Sequence, residues 1–143
     1  MSFHRENFKK INKIHCVKPP ITKKCKYIIV VRNPISRVIS AFNWRYKLVV
    51  QEGSQANRFD GERNVLQKYE TMENLSLALY DKDILNRHVV GEFNSVHHLR
   101  ESISFYLKDL MRCISSEQIF AVLAAETLEE DVGYQLGVSD LSR

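Results

Sequence analysis

The sequence predicts an α/β domain in which helices flank a parallel sheet. Three observations predict it. Residues 26–32 (KYIIVVR) and 118–124 (QIFAVLA) are short, unbroken apolar runs, the pattern of strands buried on both faces. Between them, apolar residues recur at three- and four-residue intervals, the spacing of amphipathic helices. Strands separated by helical stretches are joined by crossovers and therefore pair in parallel.

Taken in order, residues 9–17 pass from polar to weakly apolar at Ile11, Ile14 and Val17, and read as a short helix running into a short strand that Pro19 and Pro20 end. The strand at 26–32 is closed by Asn33 and Pro34. Asn33 can cap a helix there, and Pro34 fits its first turn, where a missing N–H costs nothing. In that helix Ile35, Val38, Ile39, Phe42, Tyr46 and Val49 form one stripe, expected to pack on the sheet. Ser36, Ser40, Asn43 and Lys47 form a separate polar stripe. Residues 51–61 carry two glycines and no periodicity, and read as a loop. Thr71 caps a short helix running through Tyr80, and 81–95 reads as irregular, with Asp81 and Asp83 in a turn. From Val96 the spacing of Leu99, Ile103, Tyr106, Leu107, Leu110 and Ile114 predicts one long helix capped by Ser95. The strand at 118–124 then leads into a helix over 126–136 that Gly137 ends. Residues 1–143 read as one domain.

With 143 residues, 44% of them hydrophobic and 27% charged, the chain is long enough to bury a core. Its apolar runs, such as that around residues 28–31, fall far short of the roughly 20 residues that span a bilayer, so no membrane span is expected. The basic residues near Met1 are not followed by an apolar stretch, so a cytoplasmic location is expected. Cys16, Cys25 and Cys113 have unrelated spacings and read as reduced thiols. Net charge is +4, and Lys9, Lys10, Lys13, Lys18, Lys23, Lys24, Lys26, Arg32 and Arg37 face one acid, Glu6, before Glu52. An anionic partner fits that imbalance, as does a solvated basic surface. Nucleic acid is not the expected partner, because Phe42 and Tyr46 belong to the core-facing stripe rather than to a stacking platform. Placed on a helix, His97 and His98 would point about 100° apart, so no metal site is expected.

In an open parallel sheet, ligands bind beyond the carboxyl ends of the strands, which is where Arg32 stands. Its guanidinium offers a forked, permanent charge suited to phosphate, and the start of the next helix offers free N–H groups to the same anion. Ser40, two turns along, adds a hydroxyl. The alternative is that Arg32 pairs with a carboxylate elsewhere and Ser40 is a solvated helix residue.

The string from Arg32 to Phe42, RNPISRVISAF, resembles the 3′-phosphate motif of sulfotransferases, R-[ND]-P-x-x-R-x-x-S-x-[YF], at every fixed position. The resemblance covers roughly residues 13–137 and implies a P-loop-like α/β fold. It also implies that Arg32 and Ser40 hold the 3′-phosphate of 3′-phosphoadenosine 5′-phosphosulfate, with Arg37 as the second arginine of the glycan-modifying branch. Residues 13–20, KIHCVKPP, are similar to the K-x-H-x-P-P stretch of the cytosolic branch with two extra residues. That similarity makes His15 the base that deprotonates the acceptor and Lys13 a stabiliser of the transferring group. Residues 118–131 resemble the family's late strand and following acidic segment, with Ala125 where the cytosolic branch has an adenine-contacting Tyr. The Gly/Ser/Thr-Lys loop that holds the 5′-phosphosulfate in the family does not precede Lys13, so the fold is expected to be incomplete at its N-terminus.

The expected function is therefore transfer of a sulfuryl group from that donor to a hydroxyl or amine of a glycan or small molecule, without a metal. The alternatives are a truncated or degenerate, non-catalytic nucleotide-binding remnant of the family, and a basic adaptor for acidic glycans or nucleic acid.

Overall fold

A computed structural model describes residues 21–22, 24–81 and 84–131. In chain order these form β1 (Tyr27–Val31), α1 (Pro34–Tyr46), a π-helical turn (Lys47–Gln51), α2 (Glu62–Tyr69), α3 (Met72–Leu79), β2 (Tyr80–Asp81), β3 (Ile84–Leu85), α4 (Arg87–Ser95), α5 (Ile103–Cys113) and β4 (Ile119–Ala124). Short 3-10 turns flank β4 at Ser116–Gln118 and Ala125–Thr127. The chain divides into two compact units: one contains the residues up to Asn33 and those from Ile103 onward, the other Pro34–Ser102.

In the first unit β1 and β4 pair in parallel, as the two apolar runs predict. After an irregularity between Tyr27 and Ile28, the register runs from Ile28 opposite Ala121 to Val31 opposite Ala124. Burial is less complete than the sequence suggests. Ile29, Ala121 and Leu123 are buried, but Val30 and Val122 are 55% and 54% exposed. The start of the pair is fastened by Gln118, whose amide donates to the carbonyls of Thr22 at 3.0 Å and Cys25 at 3.3 Å. At its other end Asp131 accepts from the Ala124 N–H at 2.7 Å and from the Thr127 hydroxyl at 3.1 Å, meeting backbone demand where the strand stops. The helix expected over 126–136 begins as the 3-10 turn, and its end lies outside the described residues.

The second unit is helical around one core of Phe42, Val49, Val65, Leu66, Tyr69, Met72, Leu75, Val89, Val96 and Leu99. This corrects the expected seat of α1. Phe42 and Val49 are fully buried among residues of α2, α3 and α4, whereas Ile35 and Ile39, on the same predicted stripe, are 70% and 45% exposed. The buried side of α1 is rotated toward Ala41 and Arg45. Residues 62–69 form a helix that the sequence reading leaves unassigned, with Gly61 at φ 74° preceding it. Thr71 caps α3 as expected, its side chain accepting from the Asn74 N–H at 3.1 Å.

The expected irregular stretch 81–95 is instead a short antiparallel pair, β2 with β3, followed by α4. The Asn86 side chain caps α4 by accepting from the N–H groups of His88 and Val89. The long helix expected from Val96 starts only at Ile103, because Leu99 N–H bonds back to Val96 C=O at 3.2 Å and His98 takes φ 71°, which no right-handed helix admits. Val96 and Leu99 are nevertheless buried, since a three-residue spacing serves a turn with two anchors as well as it serves a helix.

One polar interaction is sealed inside this unit. Arg45 and Glu62 are 2% and 1% exposed and meet through two parallel bonds, Nε to Oε1 at 2.8 Å and Nη2 to Oε2 at 2.6 Å. Arg45 Nη1 donates to Gln55 Oε1 at 2.5 Å, and Glu62 Oε1 accepts the His97 backbone N–H at 2.8 Å. Nearer the surface, Glu92 of α4 accepts from Lys68 at 2.7 and 2.9 Å and from the Tyr69 hydroxyl, joining α4 to α2. The bonds from Lys68 and Tyr69 hold the Glu92 carboxyl below its usual range.

Glu62→Ala strands the Arg45 charge inside the unit and is expected to cost about 3–5 kcal/mol in urea unfolding. The double change Arg45→Met with Glu62→Leu is expected to cost less than Glu62→Ala alone, because no buried charge remains. Glu92 has a folded pKa below its unfolded one, so its contribution is complete above the unfolded value and is lost as pH falls through the folded value. Glu92→Gln is expected to flatten that acid limb of the stability curve, measured by unfolding at stepped pH.

Candidate functional site

Arg32 lies one residue beyond β1, at the carboxyl end of a parallel strand, as predicted. Glu126 follows β4 at the same end. Its carboxylate accepts the Asn33 backbone N–H at 3.0 Å and stands 3.7 Å from Arg32 Nε, with both side chains about two-fifths exposed. The alternative considered for Arg32, pairing with a carboxylate, is thus realised here. The same geometry shows what the turn does chemically. A guanidinium and a backbone N–H converge on one oxyanion.

The other predicted ligands, Arg37 and Ser40, are half-buried on α1 in the second unit. Lys13 and His15 lie outside the described residues. On α1, the exposed Ile35 and Ile39 line an apolar groove of about 630 Å³, closed on its far side by Thr71, Met72 and Ser76 of the α3 segment. That groove accounts for the part of the apolar stripe that the core leaves uncovered.

A second polar cluster lies at 97–101, where the sequence places a helix. His97 and His98 are the middle residues of the turn between the buried anchors Val96 and Leu99. At φ 71°, His98 fills the third position with the left-handed conformation that Gly or Asn ordinarily supplies in a type II turn. For a residue with a Cβ that costs about 1–3 kcal/mol. The result reverses the premise that the two rings diverge, since their centroids are 3.9 Å apart. Glu101, only 8% exposed, turns its carboxylate to both rings: Oε2 is 3.0 Å from His98 Nδ1 and Oε1 is 3.8 Å from His97 Nδ1.

Phe59 covers His97 from the other side at 4.2 Å, and the Arg45 and Arg58 guanidinium groups stand 5.3 and 5.4 Å from the Phe59 ring centre. Burial pushes the His97 imidazole below its usual range, helped by His98 and Arg45 and opposed by Glu101 and Glu62. Its Nδ1 is buried without a hydrogen bond. Adjacent histidines followed by Glu at the fourth position were visible in the sequence. The turn that gathers them was not, because it depends on Val96 and Leu99 being held by the core.

Among the described residues, no helix is long and apolar enough to cross a membrane, and Cys25 and Cys113 are exposed free thiols. Comparison with protein-family models, curated proteins and solved structures finds no match to this chain.

The Arg32–Glu126 pair is too exposed to matter much for folding. Glu126→Gln keeps an acceptor for the Asn33 N–H and is expected to change unfolding stability by less than about 1 kcal/mol.

Proposed function

We propose that this chain binds a 3′-phosphorylated adenine nucleotide at the turn after β1, and that it acts as a sulfotransferase on a hydroxyl or amine of a glycan or small molecule. The reading rests on the motif Arg32-Asn33-Pro34 with Arg37 and Ser40. The observation that carries it is the oxyanion held by Arg32 and the Asn33 N–H at the carboxyl end of a parallel strand. A phosphate oxygen has the same charge sign and the same acceptor character as the Glu126 carboxylate oxygen. The nucleotide then displaces Glu126, and the released carboxylate swings toward solvent.

In this reading Arg32 and Ser40 bind the 3′-phosphate of 3′-phosphoadenosine 5′-phosphosulfate, and Arg37 adds positive charge from α1. The bond between sulfur and the bridging phosphate oxygen breaks while a bond from sulfur to the acceptor oxygen or nitrogen forms. The acceptor proton passes to His15, and 3′,5′-diphosphoadenosine leaves. Lys13 offsets charge on the transferring group.

Calorimetry with 3′,5′-diphosphoadenosine and with adenosine 5′-monophosphate tests the binding. The doubly phosphorylated nucleotide is expected to bind more tightly, and Arg32→Ala to weaken it about 10- to 100-fold, the worth of a charge-assisted bond to phosphate. Glu126→Gln is expected to tighten it, because a competing carboxylate is removed. Equal affinity for the two nucleotides, or no effect of Arg32→Ala, would refute the assignment. Transfer of labelled sulfate is scored separately; binding without transfer restricts the function to nucleotide binding.

A further inference from the structure

We propose that His97, His98 and Glu101 bind one divalent transition-metal ion of the zinc class. This is independent of the nucleotide site at Arg32.

Two imidazoles and one carboxylate form a donor set suited to zinc and its first-row neighbours, and three protein ligands leave a fourth position for water or a ligand. One ligand atom from each residue lies within 4.8 Å of the other two. Metal–ligand bonds of about 2.0–2.1 Å in a tetrahedron set ligand atoms about 3.4 Å apart. Glu101 Oε2 is 3.0 Å from His98 Nδ1 and its other oxygen, Oε1, is 3.8 Å from His97 Nδ1, so each ring has a carboxylate oxygen at a separation of that order.

Two features of this turn point to a ligand. His97 Nδ1 is buried with no hydrogen bond, a cost that coordination removes. His98 occupies a left-handed position where Gly or Asn would be unstrained, and this conformation is what brings its ring beside His97. Such strain persists where the side chain has a task.

The charges around the cluster allow a cation. Arg45, 5.3 Å from the Phe59 ring centre, is neutralised by its two bonds to Glu62, and Arg58, 5.4 Å from the same centre, is exposed. Glu101 supplies one negative charge directly.

The test is titration of the metal-stripped full chain with Co²⁺, followed by visible absorption, and competition by Zn²⁺. One ion per chain is expected, with ligand-field bands of low-coordinate cobalt, no thiolate charge-transfer band, and displacement by Zn²⁺. His98→Gly and Glu101→Gln are each expected to weaken binding by more than the roughly 10- to 100-fold that loss of an outer-shell partner costs. His88→Ala, at an exposed histidine outside the cluster, is expected to leave it unchanged. His98→Gly serves a second purpose, because it relieves the backbone strain and is expected to raise the melting temperature of the metal-free chain while binding is lost. That separates ligand loss from misfolding. No saturable binding, binding that survives both His98→Gly and Glu101→Gln, or binding that disappears on replacing Cys25 or Cys113 with Ala would each overturn the proposal.

Discussion

The helical unit is organised around the charge pair Arg45–Glu62. Withdrawing either ion from water costs several kcal/mol, so the pair is tolerable only if every donor and acceptor finds a partner. Here that condition selects a conformation. Two parallel bonds fix α1 against the first turn of α2, the third guanidinium nitrogen fixes Gln55 in the intervening loop, and the second bond to Glu62 Oε1 fixes the backbone at His97. Glu62 also stands at the N-terminus of α2, where a negative charge is favoured by the free N–H groups. Apolar residues of similar size would bury as well. They would not specify which loop and which turn must be present when the unit closes.

The turn at 96–99 follows from that constraint. Val96 and Leu99 are held by the core, His97 N–H is held by Glu62, and the chain must reverse within the two residues between the anchors. His98 accepts a left-handed backbone as a result, and its ring folds over His97 instead of away from it. Stability and site geometry are thus coupled in one place. A change that loosens Arg45 or Glu62 acts on the histidine cluster without touching either ring.

The strand unit uses charge differently. Arg32 and Glu126 are drawn together because β1 and β4 are parallel and in register, so both chains emerge at the same edge. The pair is solvated and therefore weak. Burial makes the Arg45–Glu62 pair a fixed part of the fold; exposure leaves the Arg32–Glu126 pair contributing little to it.

Some of this was legible in the residues alone. The β-branched runs specified β1 and β4, and the Asn33-Pro34 step specified where α1 begins, because such preferences are local and few alternatives satisfy them. Thr71 announced α3 for the same reason. The face that α1 buries was not local: six apolar residues share its stripe, and only the arrival of α2, α3 and α4 decided that Phe42 and Val49 are covered while Ile35 and Ile39 are not. Residues 62–69 escaped notice because Val65, Leu66 and Tyr69 are too few to display a helical period. The spacing of Val96, Leu99 and Ile103 fits a continuous helix. Bonding of Leu99 N–H to Val96 C=O, with His98 at positive φ, broke it. By itself the sequence determined the strand-turn-helix that places Arg32 at a strand end, since that depends on propensities a few residues apart. Tertiary structure alone decided that Glu126 occupies Arg32, that Arg45 finds Glu62, and that His97, His98 and Glu101 converge, because each depends on groups brought together by packing.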